Sequence, residues 1–337
     1  MSNLKDVALM AGVSVSTVSR ALDQKSSVSS ATRKRVMAAV RKLDYQPNVV
    51  AKSLKMGSTH TIALMVPDIQ NLYLPMIVRG VEDTARSNGF TIILCNTDED
   101  MDVEKEYIGV LRNRWIDGFV ISSMHPQADH IRRLRDEGFP VVLTSRYYGD
   151  DFDTVEIDNV AAAYNAVRYL YEKSNRKIAI ALGDIELNVY GDRFAGYKKA
   201  LSDLGLPFKE HYVVREKEGG ASTVIEPTAR LCATEDCPDA IFATNDNKAM
   251  AVMRALHDIG KKIPEDVSVL GFDDIALSSL VQPPLTTVHQ PLYEIGVEAV
   301  RKLLKQIEAK KAGKKYLNSI ELLKTEIVER DSTCGRP

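Results

Sequence analysis

The sequence predicts an α/β protein in two unequal parts: a small all-α head over about the first 60 residues, and a larger body of parallel sheets covered by helices. Three observations carry this. Apolar residues recur at helical spacing as far as Leu43. From Thr61 onward, short Val/Ile/Leu-rich runs alternate with longer amphipathic segments. Charge divides at the same place: residues 1–60 hold six Lys and four Arg against three Asp and no Glu, a balance of +7, so the other 277 residues carry −9 to give −2 overall. A basic head on an acidic body points to a nucleic-acid partner for the head.

The head reads as three helices. Leu4, Val7, Ala8 and Ala11 form one apolar stripe, and Gly12 is free to take the positive φ that ends a helix. Ser14 can cap the next helix, Val15–Leu22, which buries Val18, Ala21 and Leu22 and turns Ser16 and Arg20 outward with Thr17 and Ser19 beside them. Helix, short glycine turn and helix make the helix-turn-helix geometry, which lays its second helix in a major groove. A third helix starts from Ser29 or Ser30 and runs to about Leu43, with Val36, Ala39, Val40 and Leu43 inward and Arg33, Lys34, Arg35, Arg41 and Lys42 outward. Beyond Pro47, Asn48 can cap one or two turns over 49–55, too short to be stable alone, so this segment is expected to fold only against a partner.

Taken together, Ala11–Ser14, Thr17–Arg20, Val28–Ser29, Thr32–Arg33, Tyr45–Asn48 and Ala51–Leu54 resemble, in register, the N-terminal headpiece of the LacI/GalR family of bacterial transcription repressors. The resemblance implies that residues 15, 16 and 20 reach base edges. Arg20 can grip guanine O6 and N7 bidentately, Val15 suits a thymine methyl or packs on its own helix, and Ser16 is base-ambiguous. Leu54 matches the family's wedge leucine, which enters the minor groove at the operator centre. The expected DNA-contacting set is Ser14, Val15, Ser16, Thr17, Ser19, Arg20, Asn48, Ala51, Leu54 and Lys55. Asp23 departs from the Asn common at its position.

In the body, TIALMVP, FTIILCN, GFVISS, PVVLTS and TVEID read as strands, followed by RKIAIAL, YVVR, AIFATND and SVLGFDD. Runs this apolar belong to sheets buried on both faces, and nine strands divide naturally into two lobes near residue 160. The resemblance extends here, to a periplasmic-binding-protein-like fold (type I) of two Rossmann-like parallel-sheet subdomains that the chain joins by three crossings, expected near 159, 289 and 318. The expected domains are therefore a helix-turn-helix headpiece (1–46), a hinge helix and linker (47–60), an N-terminal lobe (61–159 plus 289–318) and a C-terminal lobe (160–288 plus 319–337).

Doubly wound sheets bind ligands beyond the carboxyl ends of their strands. The polar residues expected there are Tyr73, Asn96, Asp98, Ser123, Ser145 and Arg146 from the first lobe, Asp158 at the crossing, and Arg193, Asn245 with Asp246, and Asp273 with Asp274 from the second. Carboxylates, amides and a guanidinium suit sugar hydroxyls. Three of them match family motifs: Arg193 in GDRFAGY, Asn245 in ATNDNKAMA and Asp273 in GFDD. Ala251 stands where the family has Gly, and Ser145 where it has an Asp that accepts from a sugar hydroxyl. Trp115 is expected to pack, leaving Tyr73, Tyr147 or Tyr190 to supply an aromatic wall. Leu187, where purine-responsive relatives carry a base-contacting Arg, speaks against a nucleobase.

Enzyme classes find no support. G-x-G-x-x-G, G-x-x-x-x-G-K-[ST] and G-x-S-x-G are all absent, the six His are scattered, and the four Cys have no C-x-x-C spacing, so neither catalysis, cofactor nor metal is expected. His289 is expected to be structural. No long apolar run and no secretory signal pattern is present, which points to a cytoplasmic protein without a membrane partner. The resulting expectation is a repressor that binds a pseudo-palindromic operator as a homodimer, under control of a small effector, first a sugar or oligosaccharide. The alternatives are a nucleobase or nucleoside effector, a protein co-repressor, or a solute-binding protein. The last shares the body but has no use for a basic head.

Overall fold

A computed structural model describes residues 3–22, 28–45, 58–113, 116–122, 129–145 and 151–334. The chain divides into two compact units, Met1–Thr59 and His60–Pro337.

The first unit contains α1 (Leu4–Ala11), α2 (Val15–Leu22) and α3 (Ser30–Lys42). Each start is fixed by a small polar side chain that satisfies otherwise free backbone N–H groups. Asn3 caps α1 by accepting from the N–H groups of Lys5 and Asp6, and Asp6 accepts in return from the Asn3 N–H. Ser14 accepts from the Thr17 N–H at 3.2 Å, and Ser29 from the Thr32 N–H at 3.2 Å. Gly12 closes α1 at φ 62°, a left-handed conformation that glycine adopts without Cβ strain. Val7, Ala8, Ala11, Val18, Ala21, Val36 and Ala39 form the core, with Leu22, Val40 and Leu43 half-buried around it.

The second unit is built on two six-stranded sheets. Its strands are β1 (Thr61–Val66), β2 (Thr91–Asn96), β3 (Gly118–Ile121), β4 (Val141–Thr144), β5 (Asp153–Ile157), β6 (Ile178–Leu182), β7 (Val213–Arg215), β8 (Ala240–Ala243), β9 (Ser268–Asp273), β10 (Thr286–His289), β11 (Ile320–Leu323) and β12 (Glu326–Val328). Its helices are α4 (Leu74–Ser87), α5 (Met101–Arg112), α6 (Asp129–Asp136), α7 (Asn159–Glu172), α8 (Asn188–Asp203), α9 (Ile225–Cys232), α10 (Asp246–Asp258) and α11 (Leu292–Lys311). The first sheet has the order β11-β5-β4-β3-β1-β2 and is parallel throughout. The second has the order β12-β10-β9-β8-β6-β7, with only the β10–β12 pair antiparallel.

Alternation along the strands explains why both faces are covered. Ile62, Leu64 and Val66 of β1 meet α4 and α11 on one side, while Ala63 and Met65 meet α5 and α6 on the other. The second sheet is enclosed in the same way, by α7 and α8 on one face and α9 and α10 on the other.

The chain passes between lobes after β5, after β10 and between β11 and β12. The third passage lies beyond Leu323 rather than near 318, because Ile320–Leu323 pairs with Thr154–Ile157 of the first sheet before Thr287–His289 of the second takes up Glu326–Val328. Three strands not expected from the sequence, β10, β11 and β12, are short. β10 is rich in Thr, whose hydroxyls are bonded inside the lobe: Thr287 Oγ1 donates to Asp246 Oδ1 at 2.6 Å.

Candidate functional site

The first unit presents one polar face. Ser14, Val15, Ser16, Ser19 and Arg20 are exposed and Thr17 is half-buried. Val15 is 41% exposed, so it does not serve the core that Val18 and Ala21 form. The Ser14 hydroxyl lies 2.8 Å from those of both Ser16 and Thr17, which gathers three hydroxyls at the start of α2. Backbone N–H groups at a helix start, joined by hydroxyl donors, suit phosphate oxygens, and a guanidinium one turn along suits a base edge. Lys34, Arg35, Arg41 and Lys42 are exposed on α3. Asp23, Asn48, Ala51, Leu54 and Lys55 lie outside the described residues.

In the second unit a cleft with about 520 Å³ of empty space, its mouth included, opens between the lobes at the carboxyl ends of both sheets. The first lobe contributes Tyr73 before α4, Ser145 after β4 and Glu156 on β5. The second contributes Tyr190 and Arg193 from α8, Asn245 after β8 and Asp273 at the end of β9. Six residues named from the sequence thus come together: Tyr73, Ser145, Tyr190, Arg193, Asn245 and Asp273. Ser145 at φ 59° and Asp273 at φ 117° hold backbone conformations that non-glycine residues rarely adopt, and such strain concentrates where a site must be shaped.

Arg193 is 4% exposed and is held on all sides. Nε donates to Asn159 Oδ1 at 2.9 Å, Nη1 donates to the Thr244 carbonyl, and the guanidinium lies 3.6 Å from the centre of the Phe272 ring. Its Nη1 is 3.7 Å from Asp273 Oδ1, which also accepts from Gln290 Nε2 at 2.6 Å. Burial pushes the Asp273 carboxyl up to about 7 against the pull of Arg193, and it lowers the Arg193 pKa as well. Glu156 is also pushed up to about 7, by burial first and then by the acidic Asp192 and Asp158. The cleft thus combines a fixed guanidinium, two carboxyls and an amide, and offers many donors and acceptors.

Asn96, Asp98 and Asp158 are not among the residues that line the cleft. Asp98 follows the edge strand β2, beyond the strands whose ends form the cleft, and accepts from Asn96 Nδ2 within its own loop. Asp158 turns its carboxylate to the Ala161 N–H at 2.8 Å, capping α7. Asp246 and Asp274 are structural too. Asp246 is buried, accepts from Ser278, Thr287 and the Ile275 N–H, and is pushed up to about 6 by burial. Asp274 accepts from Arg330 at 2.7 Å and pairs with His289 at 2.9 Å. Ser123, Arg146, Trp115 and Tyr147 lie outside the described residues.

Sequence reasoning missed Asn71, Glu156, Asn159 and Gln290, which all line the cleft. Asn159 adjoins the expected Asp158, but only the direction of the α7 start separates a capping side chain from one turned to Arg193. Gln290 follows β10, a strand too polar for its periodicity to be visible. Among the described residues, no group of three or more His, Cys, Asp or Glu is placed to hold a metal, and no helix is long and apolar enough to cross a membrane.

Residues 3–48 match the model for bacterial regulatory proteins of the lacI family, and residues 167–333 match that of a periplasmic binding protein-like domain. The chain is similar to the HTH-type transcriptional regulator RegA of Clostridium acetobutylicum, with 40% identity over 98% of this chain and 99% of the relative. Among solved structures it is similar to the Lac repressor dimer bound to operator and the anti-inducer ONPF, at a TM-score of 0.87 and 26% identity over 99% of both chains. It is also similar to the transcriptional regulator CelR in its cellobiose complex, at a TM-score of 0.74 and 28% identity over 98% of this chain and 100% of that one.

Proposed function

This chain belongs to the lacI family of bacterial regulatory proteins, and on that premise we propose that it is a cytoplasmic repressor that binds a pseudo-palindromic operator as a homodimer under the control of a sugar or oligosaccharide held in the interlobe cleft. The observation that carries the proposal is the cleft itself: Tyr73 and Ser145 of one lobe and Arg193, Asn245 and Asp273 of the other line the same space. A ligand bridging the lobes favours one angle between them, and it shifts the equilibrium by its differential affinity for the two arrangements.

Operator reading belongs to α2. Arg20 grips a guanine, exposed Val15 meets a thymine methyl, and the Ser14, Ser16 and Thr17 hydroxyls, with Ser19, approach phosphate or base edges. The segment around Asn48, Ala51, Leu54 and Lys55 is assigned to the minor groove at the centre of the site, with Leu54 as wedge. Dimerisation through the first lobe is supported by exposed apolar side chains on and beside the edge strand β2: Ile93, Leu94, Met76, Tyr107 and Val110. A symmetric pair then matches a two-fold operator. The sugar assignment is supported by the donors and acceptors that line the cleft, and by a cellobiose complex of a similar protein.

Two experiments test this. Selection from random duplexes with the full-length chain is expected to enrich a two-fold symmetric sequence. A thermal-shift screen of mono- and disaccharides is expected to raise the melting temperature with at least one of them. Enrichment of no motif, or a silent screen, contradicts the corresponding half of the proposal.

A further inference from the structure

Tyr190 stands at the second-lobe wall of the cleft in a clamped position. Its ring covers Gly183, where a Cβ would overlap ring carbons. Its hydroxyl oxygen accepts from Asn245 Nδ2 and from Lys248 Nζ, each at 3.3 Å. The Asn245 amide is oriented from its other end: Oδ1 accepts from the Lys248 backbone N–H at 2.8 Å, so the nitrogen faces Tyr190. Lys248 is 1% exposed, and its Nζ lies 2.6 Å from Glu216 Oε2. Burial works against this ammonium, but Tyr190 and Glu216 outweigh it and hold its pKa above that of an ordinary lysine.

Neither an ammonium nor an amide –NH2 accepts a hydrogen bond. The Tyr190 proton therefore has no acceptor on either neighbour, and no other described residue takes it. Tyr190 lines the cleft, where a ligand oxygen can accept that proton. We infer that Lys248 and Asn245 fix Tyr190 as an obligate hydrogen-bond donor to the bound effector, so that this wall of the cleft selects a ligand presenting an acceptor oxygen and rejects one presenting a cationic amine. Lys248 is thus a positioning residue: it acts through Tyr190, its own charge being paired with Glu216. The inference rests on the reading of the cleft as the effector site.

The test uses the full-length chain with ribose, glucose, cellobiose and glucosamine as probes, read by calorimetry and thermal shift. For a sugar that binds the wild type, Tyr190→Phe and Lys248→Met are each expected to weaken binding about tenfold, the scale of one lost hydrogen bond in a dry site. Because Lys248 acts through Tyr190, the combined variant is expected to bind no more weakly than Tyr190→Phe alone. Lys248→Met with Glu216→Gln removes the ion pair without leaving a lone carboxylate, and its melting temperature without ligand reports whether the fold is intact. Wild-type affinity in that variant, full additivity of the two losses, or glucosamine bound more tightly than glucose overturns the inference. If the Lys248 variants do not fold, Tyr190→Phe decides alone, and unchanged affinity overturns it. A wild type silent to every sugar counts instead against the cleft as a sugar site, and the inference falls with that reading.

Discussion

The Arg193 guanidinium lies 3.7 Å from the Asp273 carboxylate, both buried where α8 and β9 meet the cleft. The geometry is a loose ion pair completed by other partners: Asn159 and the Thr244 carbonyl for the arginine, Gln290 for the aspartate. Arg193→Lys keeps the charge but loses both the planar stack on Phe272 and the fork to Asn159 and Thr244. It is expected to weaken effector binding at least about tenfold and to lower unfolding stability by about 1–3 kcal/mol, read by calorimetry and urea unfolding.

Glu156 gives the stability a pH dependence of defined sign. Its carboxyl titrates at about 7 when folded because it is buried near Asp192 and Asp158, against an ordinary 4.5. Between those values the folded state holds the proton and the unfolded state does not, so this group favours folding as pH falls from 7 toward 4.5. Above 7 it is charged in both states and its full penalty applies. Glu156→Gln is therefore expected to stabilise the protein at pH 8 by about 1–2 kcal/mol, a figure reduced for partial exposure, and to change little at pH 4.5. Equal effects at both pH values would contradict the assignment.

Gly80 of α4 and Gly296 of α11 let two helices touch backbone to backbone. A Cβ on Gly80 would overlap the Tyr293 carbonyl, and one on Gly296 the Ile77 carbonyl. Neither carbonyl can swing aside, so Gly80→Ala and Gly296→Ala are each expected to cost about 3 kcal/mol or more in urea unfolding. Gly109 of α5 has open space around it, and Gly109→Ala is expected to stabilise by about 0.5–1 kcal/mol.

Arg20→Ala is expected to lower affinity for the selected operator about 10–100-fold while changing random-duplex binding little, read by fluorescence anisotropy at fixed salt. An equal loss on both duplexes would make Arg20 a phosphate contact.

The sequence made some of this legible and hid the rest for identifiable reasons. Gly12, Ser14 and Ser29 act locally, so their roles follow from spacing alone, and strands such as TIALMV declare themselves by being apolar on both faces. Arg193, Asn245 and Asp273, named from their motifs, line one cleft. Asp98 and Asp158 misled because residue type says that a carboxylate follows a strand, but not whether the strand is central or whether the side chain turns back to cap a helix. Glu156, Gln290 and the Gly80–Gly296 contact depend on which distant elements meet, and periodicity carries no such information.

The central claim is that a sugar in the cleft controls operator binding, and titration of the selected operator with the full-length chain, with and without the sugar found by thermal shift, tests it most directly. Wild type is expected to change its operator affinity about 5–150-fold when the sugar is added, as coupling of about 1–3 kcal/mol implies, and Arg193→Lys is expected to lose most of that change. An operator affinity indifferent to every sugar that binds the cleft would contradict the account.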